Sequence, residues 1–427
     1  MTDPHDAGEV PGDAGRERLA RLPLVVWTLG VVAFLMGTGE LIIVGLLPEL
    51  ATTFAIPAAD AGMLVTIYAV GMMIGAPIMA LATLRLPRRT ALVAALVVFA
   101  VAQVAMAVSP TIAFAVLARF VAALANGTFW AVGAVVATDA AGRGSSARAV
   151  SVMVSGFTLA NVVGAPIGTA IGQALGWRGP FLLLTAFAVG ATVLVGRQVA
   201  AEPPRDVDIR SAVRSETAVL ARPALWLLYF ATALIPGGLL AAFSYIAPLL
   251  LDRAHVPAAV VPIALLGYGV GAVIGVLLGG RFGDHRPFVV LVSAVAVQLL
   301  VLVAMTVWGG DGVAVVPLLV VLGGAGVLVN PVLTGLVVRI AGGANTLAVA
   351  LSTSAFNVGI AFGSALGGVA LASTLGLTGP PMVGWALTAL ALLPLALLAA
   401  TTARRGPAPV AAGPRVGVTT GRGGGAP

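Results

Sequence analysis

The sequence predicts an all-α polytopic membrane protein: twelve transmembrane helices in two pseudo-symmetric six-helix bundles. Three observations carry that prediction. Of 427 residues, 59% are hydrophobic and 9% charged, with a mean hydropathy of +1.08, whereas a soluble domain carries about 25% charged residues. The apolar residues gather into twelve runs, each long enough for the about 20 helical residues that cross a bilayer core. An octapeptide of the second run, YAVGMMIG from Tyr68, returns in the eighth as YGVGAVIG from Tyr268.

The runs begin near Leu24, Ala61, Thr90, Thr111, Ala149, Gly179, Leu225, Pro257, Phe288, Val313, Thr346 and Pro381. None alternates apolar and polar residues, so a closed barrel, the other way to satisfy a backbone in lipid, is excluded. Short gaps make neighbouring helices antiparallel hairpins. Residues 1–22 are polar and mixed in charge and precede a full-length apolar run, so the first helix is expected to stay uncleaved. The expected divisions are a tail at 1–22, a bundle at 23–200, a polar linker at 201–222, a second bundle at 223–402 and a Gly/Pro-rich tail at 403–427 without fixed structure.

The net charge of +7 comes entirely from arginine. Assigning loops to alternate sides puts Arg16, Arg18, Arg21, Arg85, Arg88, Arg89, Arg143 and Arg148 on one side. The Arg197–Arg222 loop, Arg281, Arg286, Arg339 and the last four arginines join them. The other side holds Arg178 and Arg253. This positive-inside bias predicts a cell-membrane protein with both termini cytoplasmic and explains the basic balance without nucleic acid. Cysteine is absent and the three histidines are scattered, so disulfides, metal sites and cofactors are not expected. With no lysine, no Walker-type phosphate loop exists in this chain. No nucleophile triad stands out, and an enzyme is not expected.

The repeat has internal structure. Tyr68 and Tyr268 stand 200 residues apart, and Pro87 falls on Pro287 in the same register. Ala160, Gly164, Gly168 and Gly172 recur every fourth residue, as do Ala355, Gly359, Gly363 and Gly367. Small residues at this spacing let membrane helices approach closely. With Pro166 bending the first ladder, the pattern reads as a tight, water-excluding seam between the halves.

One acid lies deep in a span: Glu40, within FLMGTGELIIVG. An ionised acid at the bilayer centre costs about 3 kcal/mol on insertion scales. Protonation removes most of that cost, so such a group can take up and release a proton as its surroundings alternate between dry and wet. Arg119 is its counterpart in the fourth run. It keeps its charge and needs a carbonyl, an anion or water. Asn126 and Trp130 follow on the same helical stripe, and Asn161 lies beside the glycine ladder. These residues are the candidate cavity set, with Glu40 as the proton-coupling group. At the basic ends of the spans, Arg85, Arg88 and Arg89 in one half and Asp284 with Arg286 in the other form a candidate latch, together with Gly164, Pro166 and Gly168.

GTGELIIVGLLPEL resembles the first-helix signature of twelve-span drug:proton antiporters, in the branch of the major facilitator superfamily that includes chloramphenicol and arabinose exporters. RFVAALANGTFWAVGAVVA resembles that branch's fourth helix, and SGFTLANVVGAPIGTAIGQALGWR its antiporter motif. FSYIAP and SAFNVGIAFGSALGG resemble its seventh and eleventh helices, and on that resemblance Tyr245 and Asn357 join the cavity set. The chain departs from the family in two places. Leu84 and Pro87 stand where the loop pattern has an acid and a glycine, and the antiporter motif is partial, with Ala165 before its proline and Thr169 after Gly168.

The resemblance implies two bundles rocking about a midplane site. It also implies proton-coupled efflux of small amphipathic molecules, chloramphenicol-like drugs first among them. The expected partners are a small-molecule substrate, protons and the lipid bilayer, and the chain is expected to be monomeric. A sugar or nucleoside exporter of the same fold, and a non-transporting membrane sensor, are the rival readings.

Overall fold

The computed structural model describes residues 22–82, 86–142, 145–201, 221–283, 286–341 and 346–404. Arg85 and Asp284, residues 1–21 and 405–427 of the tails, and most of the linker lie outside them. Among the described residues, twelve helices are long and apolar enough to cross a membrane, and there is no strand.

The first six are α1 (Leu24–Phe54), α2 (Met63–Ala82), α3 (Arg88–Ala107), α4 (Ile112–Ala141), α5 and α6 (Arg178–Gln198). The second six are α7 (Pro223–Phe243), α8 (Val261–Gly283), α9 (Pro287–Trp308), α10 (Gly312–Ala341), α11 (Thr346–Ala372) and α12 (Gly379–Arg404). Helix α5 is composite: Ser146–Leu159, a π-helical stretch Ala160–Gly164, then Ala165–Leu175. Twelve crossings return the chain to its starting side, here termed the terminal side.

Local chemistry sets several ends. Pro223 and Pro287 sit in the first turns of α7 and α9, where the missing N–H costs nothing. Thr111 caps α4 by accepting from the Phe114 N–H at 3.3 Å. Pro166 follows the π-helical stretch of α5, where its ring would crowd the carbonyl four residues back in a regular helix.

The same helix pairs pack in both halves. In the first bundle α1 lies on α5, α2 on α4 and α3 on α6; in the second α7 lies on α11, α8 on α10 and α9 on α12. The bundles meet where α2 crosses α11 and where α5 crosses α8. Leu277, Val101 and Trp308 are among the large apolar side chains left exposed on the outer surface, as a lipid-facing surface requires.

The glycine ladders corrects one expectation. Gly164, Gly168 and Gly172 pack on Thr38, Ile42 and Leu46 of α1, inside the first bundle. Gly359, Gly363 and Gly367 pack on Ala233, Gly237 and Ala241 of α7, inside the second. The ladders therefore seat α5 and α11 on their own bundles. The contact between halves is made elsewhere on α5, where Gly269 of α8 lies against Asn161 and Val162. The offset also varies: it is 200 for α2 and α4 but 195 for the ladders and the α1 residues they touch. A longer connection after α7, containing the turn Ile246–Pro248 and the π-helical stretch Leu249–Arg253, separates the two registers.

Candidate functional site

Between the bundles lies a cavity of about 440 Å³. Glu40 and Arg119 are the charged residues among its lining. Its walls continue toward the terminal side through Val154, Val276, Asn330 and Thr334. At the opposite side the halves are joined: Gln173 of α5 donates to the Ala258 carbonyl at 3.1 Å, and Tyr245 lies against Gly62.

Helix α1 carries Glu40 to the middle of its length because nothing in the flanking apolar sequence breaks the helix there. Helix α4 brings Arg119, 1% exposed, against the same level of α1. Its three nitrogens all donate to backbone carbonyls: Nε to Leu64 at 3.3 Å, Nη1 to Gly39 at 2.5 Å and Nη2 to Glu40 at 3.0 Å. The guanidinium carbon also sits 4.1 Å from the centre of the Tyr68 ring, a cation–π contact. No ion pair within 4.0 Å joins Arg119 to the Glu40 carboxylate among the described residues. The planar fork clamps α1 to α2 through their main chains, and its charge lies beside the acid without capping it.

The Glu40 carboxylate is met instead by an amide. Asn126, fully buried, donates to Glu40 Oε2 at 3.2 Å and to the Tyr68 hydroxyl at 2.9 Å. Its own oxygen has no partner among the described residues. The four side chains form a half-buried carboxyl supported by a donor network, with one face open to the cavity. That arrangement can hold a proton, release it to water in the cavity, or accept a hydrogen bond from a bound molecule.

The other expected site residues take varied places. Asn161 lines the cavity from the π-helical stretch of α5, with its amide donating to the Phe157 carbonyl at 3.2 Å. Trp130, one turn beyond Asn126 on α4, sits in an edge-to-face cluster with Phe129 and Phe157 and is not among the residues lining the cavity. Asn357 is buried and donates to its own helix at Thr353. Tyr245 is buried in the closed seam, where its hydroxyl donates to the Ser364 carbonyl at 3.0 Å. Of the latch residues, Arg88 pairs with Asp139, joining the start of α3 to the end of α4 within one bundle. Arg89 and Arg286 are exposed, and Arg85 and Asp284 fall outside the described residues.

Several polar lining residues were not singled out by the sequence as site residues, among them Tyr68, Thr158, Tyr268, Asn330 and Thr334. Tyr68 and Tyr268 served only as markers of the repeat. Asn330 and Thr334, four apart inside an apolar run, carried a readable signal, since polar residues one turn apart in a membrane helix share a face.

Known proteins bear on this geometry. The profile of the Major Facilitator Superfamily matches residues 29–347. The chain is 34% identical to a chloramphenicol resistance protein of Streptomyces lividans, over 87% of this chain and 95% of that one. It is 33% identical to the inner membrane transport protein YdhP of Escherichia coli K12, over 87% and 94% respectively. It is 30% identical to a probable sugar efflux transporter of Mannheimia succiniciproducens, over 86% and 92%. Among solved structures, a bacterial homologue of the human lysosomal transporter Spinster, in an inward-facing and unoccupied conformation, superposes with a TM-score of 0.69 at 16% identity, over 90% of this chain and 98% of that one. Twelve apolar spans in two like bundles, a polar network at mid-depth beside a central cavity, and these matches agree: the chain is a multi-pass membrane transporter belonging to the Major Facilitator Superfamily.

Proposed function

We propose that the protein exports small amphipathic molecules from the cytoplasm in exchange for protons, with Glu40 as the proton-carrying group. One observation supports this above the others. Glu40 is the acid in the cavity wall, and Arg119, the charge beside it, is committed to backbone carbonyls. The carboxyl therefore remains free to change protonation state as the cavity is wetted from either side. A permanently ion-paired acid would not.

The arginine bias supports a cytoplasmic terminal side. The cavity walls then run toward the cytoplasm and the packed seam faces outward, which fits loading from inside. Rocking of the bundles about the α2–α11 and α5–α8 crossings exposes the same site to the other side. One charge moved through 100 mV is worth about 2.3 kcal/mol, enough for roughly a forty-fold concentration ratio.

A chloramphenicol-like drug is the favoured substrate because the lining is mostly apolar around few polar groups. A sugar exporter is the second reading, which the sugar-efflux relative supports. The test is efflux from loaded proteoliposomes across antibiotics, sugars and nucleosides, with and without an imposed pH gradient. pH-driven efflux of the amphipathic compounds is expected. Gradient-independent flux, or flux of sugars alone, would refute the reading.

A further inference from the structure

The two bundles share a backbone plan but differ in chemistry at the cavity, and helix contacts establish which residues correspond. Gly71 packs on Phe120 and Gly271 on Val320; Gly75 packs on Leu124 and Gly275 on Gly324. Helices α2 and α4 thus correspond to α8 and α10 at an offset of 200. The ladders match α1 to α7 at an offset of 195. The buried amides agree: Gln103 lies against Gly39, and Gln298 donates to the Ile235 carbonyl at 3.0 Å.

Carried across, the polar quartet loses its polarity. Tyr68 becomes Tyr268, but Arg119 becomes Leu319, Asn126 becomes Gly326 and Glu40 becomes Ile235. Leu319 and Ile235 are fully buried. Without an amide beside it, Tyr268 stacks on Phe243, with ring centres 3.9 Å apart and planes 22° from parallel. Gly326 puts no side chain where the first bundle has an amide, and the methyl groups of Leu239 occupy that space. Phe243, Tyr268, Gly326 and Leu239 all line the cavity. Apart from the Tyr268 hydroxyl, the polar groups of this wall, Asn330 and Thr334, lie one and two turns beyond Gly326 toward the terminal side.

We propose that this broken symmetry is an orienting device: the wall formed by Phe243, Tyr268, Leu239 and Gly326 is a subsite for a flat aromatic ring, which directs the polar end of the same molecule toward Glu40 and Asn161. The ligand class is a neutral amphiphile with one aryl ring and a hydroxyl- or amide-bearing end. Aromatic faces prefer other aromatic groups in offset or edge contact. A fully polar molecule would leave most of its hydroxyl groups unpartnered against this wall, where the Tyr268 hydroxyl is the one polar group. The wall therefore selects against sugars, while the opposite wall carries the proton chemistry. The proposal rests on the export reading above for the existence of a substrate and adds the orientation in which it binds.

A photoreactive aryl azide analogue of chloramphenicol, with the azide replacing the ring's nitro group, tests it on the full chain in nanodiscs at fixed pH and with no gradient. Adducts that excess chloramphenicol suppresses should map to peptides of α7, α8 and α10. Gly326→Asn should lower this labelling about five- to tenfold. The new side chain would first meet Leu239, whose methyl groups can turn aside, so the helix accommodates it. Suppressible adducts confined to α1, α2 or α4, or unchanged labelling in Gly326→Asn, would overturn the orientation even where export itself is intact. The absence of any suppressible adduct would overturn it together with the aryl-substrate reading. Suppressible labelling of the second bundle without pH-driven efflux would uphold the subsite and remove only the proton coupling.

Discussion

Asn126 donates to the Glu40 carboxylate at 3.2 Å while the same amide reaches the Tyr68 hydroxyl at 2.9 Å. One side chain of α4 thereby couples the acid on α1 to the phenol on α2. A hydrogen bond to a charged group is worth about 1.5–3 kcal/mol. Asn126→Leu should therefore slow transport by at least about tenfold with normal membrane insertion, and Asn126→Ser should retain part of the rate. Wild-type efflux by Asn126→Leu at equal protein level would show that the network does not support the acid.

Arg119 makes a different kind of contact, three N–H bonds to carbonyls on two helices. Arg119→Ala should abolish most transport while protein still reaches the membrane. Arg119→Lys should recover only a fraction, because one ammonium cannot span the three acceptors that a planar fork reaches. Equal activity of Arg119→Lys and wild type in proteoliposome efflux would mean that charge alone, and not the clamp, is what the site needs.

The two glycine ladders predict unequal sensitivity. A methyl group on Gly168 would meet the flexible end of Ile42, whereas one on Gly363 would meet the backbone carbonyl of Gly237. Overpacking costs about 1–3 kcal/mol. Gly363→Ala should sit at the upper end of that range and Gly168→Ala at the lower, read as thermal stability in detergent. The reverse order would contradict the packing described.

Much of this was readable in advance, for a physical reason. A charge or amide inside an apolar run is costly, so Glu40, Arg119 and Asn126 stood out, and the structure brings all three together. Tyr68 did not stand out, because a tyrosine in a membrane helix is ordinary until its hydroxyl is seen to have a partner. The ladders announced close packing but not the partner helix, since spacing along one helix carries no information about its neighbour. Tyr245 and Asn357 entered on resemblance, and their surroundings, a seam contact and a bond within one helix, could not be read from residue type.

Topology has a clean assay, because the chain contains no cysteine. A single cysteine at Ser211, in the linker, should react with an impermeant maleimide only after cells are opened. One at Ser373, between α11 and α12, should react in intact cells. Labelling of Ser211→Cys from outside would invert the orientation and with it the direction of export.

The central claim is that Glu40 carries the proton. Glu40→Gln preserves the shape and can still hydrogen-bond, but it cannot titrate, and a neutral amide costs less in the membrane than a carboxylate. The decisive measurement is substrate accumulation in proteoliposomes under an imposed pH gradient, with gradient-free exchange as the control. Glu40→Gln should exchange substrate yet build no concentration ratio, and Glu40→Asp should build a reduced one. A wild-type, pH-driven ratio in Glu40→Gln would contradict the account and place the proton on another group.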